Sequence, residues 1–166
     1  MSLLQRYEQA LRQDARAADP AQRAVAQRLD ALDQCLDATP SPARWRRRLQ
    51  ALLGRQTYPV TCRGIYLWGG VGRGKTWLMD LFVAGRDARE CRRMHFQHFM
   101  REVHAKRRGH AGAERPLERV ASQLAREARI WCLDEFMVQD IGDAMILHAV
   151  LDGLLRRGVV LVLTSN

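Results

Sequence analysis

Residues 69–76 run Gly-Gly-Val-Gly-Arg-Gly-Lys-Thr and fill every position of a GxxxxGK[ST] phosphate-binding loop. The chemistry of such a loop is anion capture. Its glycines let successive backbone N–H groups turn inward, and a helix opening near Gly74 adds the positive end of its dipole. Lys75 is placed to reach β- and γ-phosphates, and the Thr76 hydroxyl to ligate Mg²⁺. The expected nucleotide contacts are Gly69, Gly70, Val71, Gly72, Arg73, Gly74, Lys75, Thr76 and Trp77. The bland alternative, a glycine-rich turn, fits poorly with an apolar run before the motif and a helical pattern after it. The lysine is informative in itself, because of 27 basic residues only Lys75 and Lys106 are lysine. A chain that uses arginine for generic positive charge placed a compact, flexible point charge where phosphate oxygens are to be bridged.

A second set of candidates lies at the end of another apolar run. Ile130-Trp131-Cys132-Leu133 is followed by Asp134 and Glu135. In phosphate-loop proteins a carboxylate at such a strand end faces the metal, so Asp134 is expected to hold Mg²⁺ with Thr76, and Glu135 to polarise the attacking water. Strands often end in acidic residues, and it is the phosphate loop upstream that makes this pair specific. Asn166 follows the next apolar strand, where an amide touches the γ-phosphate or the water; asparagine is equally a common turn residue. The expected catalytic set is Lys75, Glu135 and Asn166. His95 and His98 resemble a metal pair, but in a strand that spacing puts them on opposite faces, with no cysteine or carboxylate cluster beside them. His104 and His110 read as surface residues, and His148 as a partly buried histidine on a helix's apolar face.

These groups need a scaffold that brings strand ends together. From residue 64 onward strands alternate with helices, the signature of a parallel sheet. Strands are expected at 65–68, about 93–98, 130–133 and 159–163. Helices are expected from Lys75 to about Ala84, along Phe99, Met100 and Val103, from Pro116 with Leu117, Val120 and Leu124 inward, and after an Asp140 cap with Ile141, Met145, His148, Leu151 and Leu155 as the stripe. Ahead of them, residues 1–54 read as a helical segment and 55–166 as the nucleotide-binding domain. Leu3, Leu4, Tyr7 and Leu11 share one helical face, and Asp19-Pro20-Ala21-Gln22 starts a helix with stripe Val25, Leu29, Leu32, Leu36. A third helix spans Arg44 to Leu53. Its Trp45 and Arg46–Arg48 read more readily as a solvated helix face than as a nucleic-acid contact.

With 166 residues the chain is the size of one ordinary domain. A formal net charge of +9 favours acidic partners, among them nucleic acid, although the charge is scattered rather than gathered in a tail. Cys35, Cys62, Cys91 and Cys132 form no CxxC pair and no framework, which points to free thiols in a reducing cytoplasm. Acidic residues Glu8, Asp14 and Asp19 near the start argue against a signal or transit peptide, and no run approaches a membrane span.

Together these stretches resemble the ZapE-type AAA+ ATPases, a family that takes in bacterial cell-division proteins and mitochondrial AFG-one-like relatives. The likeness is carried by Gly64 through Asp80, His95 through His104, Cys132 through Phe136, Asp140 through Ile146, and Gly158 through Asn166, with Arg6-Tyr7 and Asp19 through Gln22 in the prelude. It implies an AAA+ P-loop NTPase fold, ATP with Mg²⁺, homo-oligomers at full length, Asn166 in the sensor 1 role and, for bacterial members, action on FtsZ polymers at the division site. Adenine specificity rests on the same likeness, as no guanine-reading NKxD occurs. Family members are about twice as long. The expectation is therefore a domain cut before strand five, the arginine finger and the lid, with weak hydrolysis and marginal solubility alone. Two further readings stay open: a nucleotide-dependent DNA-binding or helicase-loader module, and a nucleotide-binding fragment without turnover.

Overall fold

The computed structural model describes residues 1–13, 17, 19–39, 62 and 64–166. Four short strands, β1 (Ile65–Trp68), β2 (Cys91–His95), β3 (Ile130–Asp134) and β4 (Val160–Ser165), pair in parallel in the order β1-β4-β3-β2. Parallel neighbours need crossovers. These are α3 (Lys75–Ala84) between β1 and β2, α4 (Phe96–Arg108) with α5 (Pro116–Glu127) between β2 and β3, and α6 (Ile141–Arg156) between β3 and β4. Ahead of the sheet lie α1 (Leu3–Gln13) and α2 (Pro20–Ala38). The result is the expected α/β fold of a P-loop NTPase, a parallel sheet with flanking helices.

The strand sequences explain the layering. β3 is buried at every residue because both faces are covered, as its continuous apolar run requires. Ile130 and Cys132 face a core shared with α1, α2 and α3, where Leu3, Tyr7, Leu29 and Leu36 meet Leu78, Met79 and Phe82. Trp131 and Leu133 face the opposite core, formed by α4, α5 and α6. The cap of α2 is as its sequence promises: the Asp19 carboxylate accepts from the Ala21 N–H, with Pro20 as the first helical residue. Arg86, just beyond α3, fastens α2 to it by donating to Asp33 and Asp37.

Five expectations need correction. The second strand ends at His95, and Phe96 already begins α4. Phe96, Phe99, Met100 and Val103 fall at helical spacing and are all buried, which outweighs the short strand-like run before them. His95 and His98 therefore sit in different elements. On α6 the stripe chosen from sequence is the wrong face: Ile141 is 84% exposed and Met145 72%, whereas Leu147, Val150 and Leu154 are buried. That helix is apolar on two sides, and Gly153 decides between them, since a Cβ there would come within 2.6 Å of the Ala121 side chain on α5. His148 is consequently exposed, and His104, expected at the surface, is partly buried with its Nε2 2.8 Å from Asp143 Oδ1. Finally, Cys35 and Cys62 form a disulfide across 27 positions of sequence. Their approach is a product of tertiary folding that no local spacing announces, and the argument for a reducing compartment from unpaired thiols loses its support. Cys91 and Cys132 are free and buried, with sulfurs 3.7 Å apart.

The expected third helix, Trp45 with its arginine run, and the boundary between residues 54 and 55 lie outside the described residues. Among the described residues no helix is long and apolar enough to cross a membrane.

Candidate nucleotide site

β1 delivers the chain to the C-terminal edge of the sheet, and residues 69–74 then turn into α3. Gly72 and Gly74 take φ values of 80° and 78°, a region that only glycine enters without strain. A Cβ on Gly69, Gly70 or Gly72 would meet no atom within 4 Å, so the loop rims an open hollow. Gly74 stands at the N-cap of α3 in the left-handed region and, having no side chain, makes no side-chain cap of its own. Lys75 Nζ donates to the carbonyls of Gly69 at 2.6 Å and Gly70 at 2.8 Å, folding its charge over the loop. Gln22 of α2 steadies the loop from outside by donating to the Arg73 carbonyl at 3.2 Å.

The hollow continues into a cavity of about 370 Å³ lined by Val71 to Trp77 on one side and by Glu135, Thr164, Ser165 and Asn166 on the other. Lys75, Thr76, Glu135 and Asn166 thus come together as the sequence suggested, drawn from the ends of three strands. Glu135 has φ 55°, rare for a residue with a side chain. The turn is held by Thr164, whose hydroxyl accepts from the Glu135 N–H and whose carbonyl accepts from the Phe136 N–H at 2.7 Å. It leaves the Glu135 carboxylate exposed at the cavity, with His95 Nδ1 3.9 Å from its Oε2.

Asp134 is placed differently. It is 4% exposed and does not line the cavity. One carboxylate oxygen accepts from Arg93 Nε at 2.7 Å and the other from the Thr164 hydroxyl at 3.2 Å. The same arginine donates to Asp80 on α3 through Nη1. Arg93 and Thr164 are not singled out from sequence as site residues, and His95 enters there only as half of a disfavoured metal pair. The available signal was Arg93 two residues before His95 in a short strand, where a charged side chain must find an acid.

The residues present fit a magnesium nucleotide. A backbone nest with a lysine suits phosphate. Among the described residues no three His, Cys, Asp or Glu side chains cluster as a metal cage. Mg²⁺ ordinarily takes one or two protein carboxylates and completes its shell with water and substrate phosphates. Thr76 with Asp134 or Glu135 meets that need, because an ionised carboxylate offers about four lone-pair positions and Asp134 uses two.

The family model described as AFG1-like ATPase matches residues 1–166. Over 166 residues the chain is 39% identical to cell division protein ZapE of Escherichia coli K12, covering 96% of this chain and 44% of that protein. It is 44% identical over 119 residues to lactation elevated protein 1 homolog B of Danio rerio, covering 65% of this chain and 24% of that one. The chain thus spans less than half the length of these relatives. Among solved structures, domain III of the Thermotoga maritima replication initiation protein DnaA aligns with a TM-score of 0.48 at 17% identity, over 76% of this chain and 53% of that one.

Proposed function

Starting from the fact that the chain belongs to the AFG1-like ATPase family, we propose that it binds ATP with Mg²⁺ in the cavity between residues 69–77 and the ends of β3 and β4. The observation that carries this reading is the convergence of the glycine nest, the folded-over Lys75 and the out-turned Glu135 on one hollow. In the proposed complex, Lys75 leaves its carbonyls for the β- and γ-phosphates, and the N–H groups of residues 69–76 hold the phosphate oxygens. Thr76 and Asp134 orient the metal, Glu135 accepts the proton of an attacking water, and Asn166 positions that water or the γ-phosphate. Mg²⁺ held by Thr76 and Asp134 would supply positive charge against the phosphates. Hydrolysis, homo-oligomers and action on FtsZ polymers are proposed for the whole protein, the last by analogy with the relative named for cell division.

The test is equilibrium binding of a fluorescent ATP analogue, followed by phosphate release. Lys75→Ala should weaken binding on the order of a hundredfold. Glu135→Gln should keep binding and lower any turnover at least about a hundredfold. Undiminished binding by Lys75→Ala would overturn the assignment.

A further inference from the structure

The guanidinium of Arg93 does something that no phosphate-loop motif describes. It reaches from β2 across the end of β3, donates to the buried Asp134 carboxylate through Nε at 2.7 Å, and joins it to Asp80 on α3. Asp80 is one helical turn beyond Thr76 on the same face of α3. The bridge from Asp80 through Arg93 to Asp134 therefore ties the helix that carries Thr76 to the carboxylate with which Thr76 is proposed to hold Mg²⁺. Arg93 is also well placed to keep this position, with its side chain 27% exposed and the Asp134 side chain 6%.

We infer that Arg93 is a positioning residue that stands in for the metal's charge at Asp134, fixing that carboxylate against α3 and lowering the affinity of the nucleotide complex for Mg²⁺. Two observations carry this beyond an ordinary structural ion pair. Asp134 is the buried carboxylate of the site, and a buried carboxylate without a cation is costly, so something positive must hold it when no metal is there. The partner is also shared with the helix that carries Thr76, so one group sets both the direction of the ligand and its spacing from the other ligand. A divalent cation arriving at Asp134 then meets a positive charge already in hydrogen-bond contact with it, and the two share the carboxylate at an electrostatic disadvantage.

The inference rests on the proposed nucleotide–Mg²⁺ site, and one titration separates the two. A fluorescent ADP analogue is bound to the protein in EDTA, and Mg²⁺ is then titrated in. Wild-type protein that binds no nucleotide under either condition sinks the functional reading, and this inference with it, before any variant is made. If wild type binds, Arg93→Met should leave the affinity in EDTA within about twofold and lower the Mg²⁺ half-saturation about fivefold. Arg93→Lys, which restores the positive charge, should bring half-saturation back to within about twofold of wild type. In an Asp134→Asn background the Arg93→Met change should have no effect on half-saturation, because the carboxylate through which it acts is gone. An unchanged or raised half-saturation in Arg93→Met, an equal loss of nucleotide affinity with and without Mg²⁺, or the same tightening in the Asp134→Asn background would each overturn it. Should Arg93→Met fail to fold, Asp80→Asn carries the test. It leaves Arg93 wholly on Asp134 and should raise half-saturation about threefold, and an unmoved value overturns the inference.

Discussion

The phosphate half of the site and its acidic half are built on different plans. Residues 69–76 are contiguous, and what they present is backbone: glycine turns, a helix start with glycine at its N-cap, and one lysine held by carbonyls six and five positions away. The acidic half is assembled from β2, β3, β4 and α3, and what it presents is side chains that depend on one another. Arg93 and Thr164 hold Asp134, while Thr164 shapes the turn that exposes Glu135. The lesson is that a glycine turn carrying a lysine can be encoded locally, whereas the setting of the acidic side chains is a property of the packed sheet.

The contrast can be broken by experiment. The largest expected effect comes from reducing the Cys35–Cys62 disulfide, which lies outside both halves. Freeing a closure of this length should lower unfolding stability by about 3–4 kcal/mol while leaving nucleotide affinity at low temperature within about twofold. Chemical denaturation and nucleotide titration with and without reductant check this. A parallel fall in affinity would show that the phosphate half is not self-sufficient.

Next in size is Asp134→Asn. Binding in EDTA should stay within about threefold of wild type, while binding in Mg²⁺ should weaken about tenfold. Equal losses in the two titrations would mean that the halves cannot be separated.

The smallest effect sharpens the picture of the core beneath the loop. The Tyr7 hydroxyl is buried with no hydrogen-bond partner among the described residues, and its ring packs 5.5 Å from Trp77. Burial, aided by the Asp19 carboxylate, lifts this phenol above its ordinary value of 10.0. A folded value above the unfolded one means that Tyr7's contribution is complete below pH 10 and is lost as pH rises through the folded value. Tyr7→Phe should change stability at neutral pH by under about 1 kcal/mol and should lose less than wild type above pH 10. Thermal melts across that range decide it.

Much of the scaffold was legible because its signals are local. The bounds of β1 and α3 and the caps at Asp19 and Asp140 are as the residues suggested, since a glycine-rich turn, a Pro at the first helical position or an Asx cap acts within a few residues. The face of α6 was not legible, because its sequence is apolar on two sides and only the fit of Gly153 against Ala121 chooses one. Ile141 and Met145 are left exposed as a result, next to the exposed loop residues Met137 and Val138.

By itself the sequence determined the phosphate loop, the α/β alternation and the identity of the acidic pair, because each is a matter of residue type at short spacing. Only the tertiary structure decided which partners those groups keep. Gly64 passes so close to β4 that a Cβ would sit 2.2 Å from the Leu161 carbonyl oxygen, Cys35 finds Cys62, and Arg93 occupies Asp134. Each of these depends on distances between chain segments far apart in sequence, which only the packing of the two cores on the sheet fixes.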